Sequence, residues 1–302
     1  MASAVTAERD RLLGIDFGGT KMAVAVADRD GTVLAAQRLA TRAESGAEQA
    51  LTRALDLAAE LLARDGGRLV AAGIATPGAV RADGIDLAPN VPGWESLQLA
   101  AAFRKRFDDV EVEVCNDLNA AALAELRLGR LRDADPGLVL GLGTGTAAAV
   151  TVGGAVLSGR NGAAGEIGYA VTGPAWPVPG PVLEQVFSGR ALDELATTFG
   201  LANAAELCAA AEEPGAARDA LTERLDELAR HLVTCCLLID PQRIVLVGGV
   251  AGSRLVREML SERLARVLPY RPEVVLSDFP DDASLLGAVT LAAEAARATP
   301  GG

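Results

Sequence analysis

Histidine and cysteine are scarce in this chain of 302 residues. The single histidine, His231, excludes a metal site built from several imidazoles and makes a carboxylate the expected general acid or base. It falls within a predicted helix, and we interpret it as a structural residue. The four cysteines, at positions 115, 208, 235 and 236, show no C-x-x-C spacing. A thiolate zinc cluster is therefore not expected.

Lysine, aromatic residues and long apolar runs are also in short supply. Only Lys21 and Lys105 are lysines, and aromatic residues make up 3% of the chain. The formal net charge of −12 disfavours binding to nucleic acid or to an anionic membrane, because both require a basic face. No apolar run reaches the roughly 18–20 residues of a membrane span, and no signal peptide precedes the first predicted strand. We expect a cytoplasmic protein with free thiols and no nucleic-acid or membrane partner.

Aliphatic residues, by contrast, are abundant. Hydrophobic residues make up 50% of the chain, enough for a sizeable core in one large domain or two. Their periodicity predicts an α/β fold. Strands are predicted at 12–16, 22–27, 32–38, 69–74, 110–115 and 243–247, with a strand–turn–strand–turn–strand segment at 137–158. Helices are predicted at 46–64, 96–107, 118–128, 216–238, 253–267 and 283–298.

A strand followed by a glycine turn and a second strand occurs twice. GIDFGGT at 14–20 and GLGTGT at 141–146 have this pattern. A repeat at half the chain length predicts two similar α/β domains with a cleft between them, although two glycine-rich hairpins can also resemble each other by chance. We assign residues 1–115 plus 283–302 to an N-terminal domain and residues 116–282 to a C-terminal domain.

The first glycine turn is a candidate phosphate site. Gly18 and Gly19 let the backbone approach an anion closely, Thr20 adds a hydroxyl donor and Lys21 a positive charge. Asp16, at the strand end, is positioned to hold Mg²⁺ directly or through water. No helix follows at once, so this is neither a Walker A loop nor a Rossmann fingerprint. Taken alone, such a hairpin is more often simply a tight turn.

Two further glycine turns extend the pattern. One contains Gly143, Thr144 and Gly145, and the other is Gly248–Gly249, which leads into a helix. A helix N-terminus can receive an anion or the sugar of a nucleotide. Three glycine turns at strand ends fit a bound nucleotide better than three unrelated turns.

Asp117 follows the strand 110–115 and opens the helix 118–128. An aspartate at this position is by default a helix N-cap. At the carboxyl end of a strand it can also be a general base that takes the proton of an acceptor hydroxyl during phosphoryl transfer. The two roles are compatible. Glu166, Glu184 and Asn90 are further polar candidates, for which binding and a structural role both remain open.

Together these segments resemble the ROK family of sugar kinases from Gly14 to about Thr290. The matching segments occur in order: GIDFGGTK (14–21), GIATPGAV (73–80), APNVPGW (88–94), CNDLNAAALAE (115–125), GLGTGTAAAV (141–150), NGAAGEIG (161–168) and IVLVGGV (244–250). The resemblance implies an actin-like fold of two RNase-H-like domains and ATP with Mg²⁺ as cofactors. It also implies transfer to a primary hydroxyl, usually the 6-hydroxyl of a hexose, and a homodimer.

The same resemblance implies roles for individual residues, with Asp117 as the general base. It assigns the nucleotide and its phosphates to Asp16 (through Mg²⁺), Gly18, Gly19, Thr20, Lys21, Gly143, Thr144, Gly145, Gly248 and Gly249. It assigns the sugar to Pro77, Gly78, Asn90, Asn116, Glu166, Tyr169 and Glu184.

The chain departs from the family pattern at its zinc site. Most members follow the GEIG motif with a zinc-binding histidine and then supply three cysteines. Here the histidine position holds Tyr169, and residues 173–183, GPAWPVPGPVL, contain no cysteine. We therefore expect no zinc, and an altered contact to the sugar at Tyr169.

Three alternatives to a glucose-type kinase remain open. The altered zinc loop is also compatible with a kinase for an amino sugar or a C7-cyclitol in specialised metabolism. A sugar-binding ROK protein without catalysis would not need to retain Asp16 and Asp117. A sugar-responsive repressor would need a DNA-binding domain, and we expect none, because only 13 residues precede Gly14 and the net charge is acidic.

Overall fold

The computed structural model describes residues 9–81, 83–88, 91–108, 110–173 and 180–298, and these form two compact units. The first unit contains the described residues up to Ala124, the short segment Gly159–Ala163 and the described residues from Ser284 onward. The second contains Glu125–Ser158 and the described residues from Ala164 to Ala283.

The described residues include strands and helices in alternation. The strands are β1 (Asp10–Phe17), β2 (Lys21–Asp28), β3 (Val33–Ala40), β4 (Arg68–Thr76), β5 (Ala79–Arg81), β6 (Gly84–Asp86), β7 (Glu111–Asn116), β8 (Gly137–Leu142), β9 (Thr146–Val152), β10 (Ala155–Val156), β11 (Arg243–Val247) and β12 (Glu273–Leu276). The helices are α1 (Ala47–Asp65), α2 (Leu99–Arg106), α3 (Asp117–Arg127), α4 (Leu183–Val186), α5 (Gly189–Thr198), α6 (Ala204–Ala210), α7 (Ala216–Ile239), α8 (Arg254–Val267) and α9 (Ala283–Ala298).

The first unit is built on a five-stranded sheet in the order β3-β2-β1-β4-β7. β1 pairs antiparallel with β2 and parallel with β4, and β4 pairs parallel with β7. Side chains alternate across the sheet, so Leu13, Ile15 and Phe17 enter the cluster that contains α1, whereas Leu12 enters the cluster that contains α9. Both faces are covered, which explains the nearly continuous apolar sequence of β1.

Helix α9 packs unusually close to its neighbours in the first unit. A Cβ atom on Gly73 of β4 would lie 2.0 Å from the carbonyl oxygen of Ala288, and one on Gly287 would lie 1.8 Å from that of Ala120 in α3. Contacts this short exclude any side chain. Glycines at these two positions therefore hold α3, and the residues at its start, against the rest of the unit.

The second unit repeats the topology of the first. Its sheet has the order β10-β9-β8-β11-β12, in which β8 pairs antiparallel with β9 and parallel with β11. Each sheet thus begins with a three-stranded meander, whose first strand then pairs with the first of two parallel strands. The duplication predicted from the two glycine hairpins is confirmed, because equivalent hairpins occupy equivalent positions.

The predicted elements agree with the structure except in a few short segments. Residues 94–96 form a 3₁₀ turn, so the helix predicted at 96–107 is only α2. Helices α4, α5 and α6 and the strands β5, β6 and β12 were not predicted. None of the helices in the described part of the chain is long and apolar enough to cross a lipid bilayer.

Candidate active site

Three parallel strands of the first unit end at one edge of the sheet. Their register aligns Asp16 of β1 with Ala75 of β4, and Ala75 with Cys115 of β7. Asp117 follows directly as the first residue of α3. The two carboxylates singled out from the sequence are therefore brought to the same edge of the same unit.

The N-cap of α3 is Asn116 and not Asp117. The Oδ1 atom of Asn116 accepts hydrogen bonds from the backbone N–H groups of Leu118 (2.9 Å) and Asn119 (3.1 Å), the second and third residues of the helix. This is the N-cap arrangement. The default structural role predicted for Asp117 thus belongs to its neighbour. The Oδ1 atom of Asp117 itself accepts the backbone N–H of Leu118 at 2.7 Å.

The environment of Asp117 favours its protonated form. The side chain keeps some contact with solvent yet lies deep among protein atoms. This burial, with the negative charge of Asp16, raises its pKa to about 7 against the hydrogen bond from Leu118. A carboxyl group with a pKa near neutrality is suited to general base catalysis. Burial together with the charges of Asp117, Glu113 and Asp16 raises the pKa of the Cys115 thiol to about 12, so that thiol is not a nucleophile at neutral pH.

The turn after β4 is held by a buried tryptophan. The indole Nε1–H of Trp94 donates to Thr76 Oγ1 at 2.8 Å, and the Trp94 ring packs edge-on against Phe17 with centroids 5.0 Å apart. Gly78 has a φ of +91°, and a Cβ there would lie 2.4 Å from the carbonyl oxygen of Asp86. Its neighbour Pro77 is half-buried. Asn90, the remaining sugar candidate of this region, lies outside the described residues.

The first glycine turn uses one of its own amides. The N–H of Gly18 donates to the carbonyl oxygen of Lys21 at 3.0 Å and closes the turn. A Cβ on Gly18 would lie 2.6 Å from that same oxygen. The N–H groups of Gly19 and Thr20 have no hydrogen-bond acceptor among the described residues. The predicted anion site therefore has fewer amides than the motif suggests. The N–H groups of Gly19 and Thr20 are available beside the exposed Lys21, whereas that of Gly18 is not.

The other two glycine turns come together in the second unit. β8 and β11 are parallel neighbours, so their carboxyl ends meet at one edge. Gly248 has a φ of +95°, and a Cβ on it would lie 2.6 Å from the carbonyl oxygen of Leu142. In contrast, Cβ positions on Gly143 and Gly249 meet no atom within 4 Å. The two turns touch through Gly248 and leave open space beside Gly143 and Gly249.

Glu184 lies against the second glycine turn. Its Oε2 atom accepts the N–H of Thr146 at 3.1 Å, and a Cβ on Gly145 would lie 2.2 Å from the same oxygen. Arg190, near the start of α5, forms an ion pair with Glu184 at 3.4 Å, and its backbone N–H donates to the Thr144 carbonyl oxygen at 3.3 Å. A residue predicted to bind the sugar is therefore in contact with residues predicted to bind phosphate.

Glu166 and Tyr169 lie in the loop beside β9 of the same unit. Gly165, with φ +91°, accepts the N–H of Ala148 at 2.7 Å. A Cβ on Gly168 would lie 3.4 Å from the Glu184 Cβ, so this loop and α4 are packed together. Tyr169 is exposed. Residues 174–179 of the altered zinc segment lie outside the described residues, and the expected absence of zinc stays a prediction. Elsewhere, in the described residues, no group of three His, Cys, Asp or Glu side chains could hold a metal ion.

Sequence reasoning missed three residues of these two regions. Thr76 and Trp94 join the turn after β4 to the segment after Pro92, and Arg190 pairs with Glu184. The motifs APNVPGW and TPG contain the first two residues, but nothing local indicates that they hydrogen-bond each other. For Arg190, the serine N-cap at position 188 was a usable sign that a helix begins there.

Comparison with known proteins agrees with this architecture. A family model described as the ROK family matches residues 12–295. Glucokinase of Thermotoga maritima is 30% identical over 312 residues, which cover 94% of this chain and 98% of that protein. Kanosamine kinase of Amycolatopsis mediterranei is 31% identical over 249 residues, which cover 80% of each.

A solved structure agrees as well. The crystal structure of a ROK family glucokinase from Streptomyces griseus, in complex with glucose and AMPPNP, matches with a TM-score of 0.79 and 26% identity over 94% of this chain and 99% of that one. ROK sugar kinases have the actin-like ATPase fold, which confirms the expected fold class. The chain belongs to the ROK family and is one of its sugar kinases.

Proposed function

We propose that this enzyme transfers the γ-phosphate of ATP to the primary 6-hydroxyl of glucose or a glucose-like hexose. The observation that carries the proposal is Asp117, held at the start of α3 with its pKa raised to about 7 by burial and by Asp16. The glucokinase relatives, one of them bound to glucose and AMPPNP, support the donor and the class of acceptor.

Asp117 is the general base of the proposed reaction. Its carboxylate takes the proton of the acceptor hydroxyl as the oxygen of that hydroxyl bonds to the γ-phosphorus. The bond from the γ-phosphorus to the bridging oxygen breaks, and ADP leaves with the electron pair. Because phosphoryl transfer depends mainly on positioning and on charge stabilisation, the base has to be held in place as well as ionised.

The phosphates are proposed to meet backbone amides and a magnesium ion. Gly19 and Thr20 offer available N–H groups with Lys21 beside them. The second unit adds the turns that contain Gly143, Thr144, Gly248 and Gly249, with open space beside Gly143 and Gly249. Asp16 is the residue that would hold a magnesium ion, because Mg²⁺ binds one or two carboxylates together with substrate phosphates. Asp16 is close enough to Asp117 for its negative charge to raise the pKa of Asp117. The ion would supply positive charge against the phosphate oxygens.

The acceptor is proposed to contact Pro77, Gly78, Asn90, Asn116, Glu166, Tyr169 and Glu184. A second candidate acceptor is an amino sugar or a C7-cyclitol. Tyr169 in place of the histidine that most members of the family have favours this alternative, and so does the similarity to kanosamine kinase. A neutral phenol and an imidazole present different hydrogen-bonding groups to a hydroxyl or an amine.

A panel of acceptors with coupled detection of ADP tests the proposal. We expect kcat/KM for glucose or a 6-hydroxy hexose analogue to exceed that of 6-deoxyglucose by more than about 10³-fold, because only the former can accept phosphate at position 6. A strong preference for an amino sugar or a cyclitol would favour the second candidate. If no acceptor in the panel causes ADP to be released, both candidates are contradicted.

The pH dependence of the reaction follows from the raised pKa of Asp117. The base is active only when ionised, so kcat/KM for the sugar should fall about tenfold per pH unit below pH 7 and level off above pH 8. An unperturbed aspartate would keep the enzyme active down to about pH 4. Steady-state rates between pH 5 and 9, with stability checked at each pH, distinguish the two.

The resemblance also supports two proposals about the state of the protein. We expect a homodimer, which light scattering coupled to size-exclusion chromatography measures directly. We also expect the protein in the cytoplasm, where cell fractionation should find it.

A further inference from the structure

The carboxamide of Asn116 connects two segments of the first unit. Its Oδ1 accepts the N–H groups of Leu118 and Asn119, at 2.9 and 3.1 Å, and its Nδ2 donates to the carbonyl oxygen of Gly78 at 3.0 Å. The residue is buried, at 8% exposure. One side chain therefore ties the first turn of α3 to the turn that follows β4.

These hydrogen bonds nearly exhaust what an asparagine can offer. A carboxamide has two acceptor lone pairs and two donor hydrogens. Both lone pairs face backbone amides, and one hydrogen faces Gly78. Only a single N–H remains for a ligand. The oxygen cannot accept a hydroxyl of the sugar without releasing the helix cap.

We propose that Asn116 is a positioning residue, whose carboxamide holds the start of α3, with Asp117, and the Pro77–Gly78 turn in one fixed arrangement. The inference rests on the proposed function, because it takes Asp117 as the general base. It goes beyond the sugar contact that the family resemblance implies for Asn116, which can use only the remaining N–H, because the other hydrogen bonds of the carboxamide lie within the protein.

Each of the two segments is anchored at a second point. The turn after β4 is fixed through Thr76, which accepts the Trp94 indole N–H. Helix α3 is fixed by the close approach of Gly287 to Ala120, one turn beyond Asp117. Asn116 joins two segments that are already held. The carboxylate of Asp117 also shares the Leu118 N–H with Asn116, so loss of the Asn116 oxygen removes its competitor for that donor.

Two substitutions separate the two halves of this role. Asn116→Ser keeps a short acceptor for the helix cap but cannot reach Gly78 with a donor. Asn116→Ala removes both. We expect Asn116→Ala to lower kcat about tenfold or more and to speed hydrogen exchange at Asn119 about fivefold, as expected for a lost N-cap; the Leu118 amide keeps Asp117 as an acceptor. We expect Asn116→Ser to keep kcat and exchange within about threefold while raising KM for the sugar several-fold.

Asn203→Ala is the matched control. Asn203 is the N-cap of α6 and accepts the Glu206 N–H at 3.1 Å, in the second unit. The Asn203→Ala substitution should speed hydrogen exchange at the Glu206 amide and leave kcat and KM unchanged.

Hydrogen exchange is measured on the free enzyme, so it is independent of the identity of the acceptor. The positioning role is overturned if exchange at Asn119 is unchanged in Asn116→Ala. It is also overturned if both variants raise the KM for the sugar equally and leave kcat unchanged. A wild-type enzyme that phosphorylates no sugar overturns the proposed function instead.

Discussion

Asp117→Asn should lower kcat by about 10²–10⁴-fold, the usual contribution of a general base, and leave the Kd of the sugar within about threefold. Asparagine has nearly the shape of aspartate but cannot take the proton of the acceptor hydroxyl. The cap of α3 should persist, because Asn116 supplies it. Single-turnover rates with saturating ATP, together with sugar titration by calorimetry, measure the two quantities separately.

The same substitution should make the protein more stable at alkaline pH. Burial and the charge of Asp16 raise the pKa of Asp117 from 3.8 to about 7, so the fold disfavours the ionised form. The free energy of unfolding therefore decreases between about pH 4 and pH 7 and stays lowered above that. At 1.4 kcal/mol per tenfold change in proton affinity, Asp117→Asn should recover about 2–4 kcal/mol at pH 8 and almost nothing at pH 4.

Asp219→Asn provides the control for both measurements. Asp219 lies exposed in the first turn of α7, outside the proposed site, so its substitution should leave kcat unchanged and should not reproduce the stability gain of Asp117→Asn. If Asp117→Asn keeps more than a tenth of the wild-type kcat, Asp117 is not the base. If its stability gain is the same at pH 4 and pH 8, the raised pKa is not the cause.

Gly287→Ala should destabilise the protein by about 2–4 kcal/mol and lower kcat. The added Cβ would lie 1.8 Å from the Ala120 carbonyl oxygen and 2.3 Å from its carbonyl carbon, so α9 and α3 must move apart. Alanine favours a helix over glycine by only about 1 kcal/mol, less than the cost of overpacking a buried backbone contact. Because Asp117 begins α3, movement of that helix should also misplace the base.

Thermal unfolding and kcat report the two effects of Gly287→Ala. We expect Tm to fall by about 3–6 °C. Gly84→Ala is the matched control in the same unit, since a Cβ there meets nothing within 4 Å and its φ is not in the left-handed region. A Tm unchanged by Gly287→Ala would mean that α9 is not held against α3 by this contact.

Strands and long helices could be predicted because their signals are local. The continuous apolar runs of β1 and β2 and the apolar stripe of α1 are each contained in one stretch of sequence. The short helices between 183 and 210 were missed because too few turns are present to show a period. Asn203, with Glu206 three residues later, was an overlooked start signal.

The candidate site was likewise only partly predictable from local sequence. Residue type and motif order were enough to single out Asp16, Asp117 and the three glycine turns. They did not show that the Gly18 amide closes its own turn or that the Glu184 carboxylate lies on Gly145. Each donor or acceptor in these segments has several possible partners, and only the folded structure shows which hydrogen bond forms.

By itself, the sequence determined that one histidine and four scattered cysteines make a carboxylate the expected base, and that two equivalent α/β halves each carry a glycine turn. Both follow from residue chemistry and from local periodicity. Only the tertiary structure decided that Asn116 joins the start of α3 to the turn after β4, and that Glu184 bonds to Thr146. Each of these residues has a partner 38 positions away in the chain, Gly78 and Thr146 respectively. Contacts at that separation depend on how strands and helices pack, which no local pattern of residues contains.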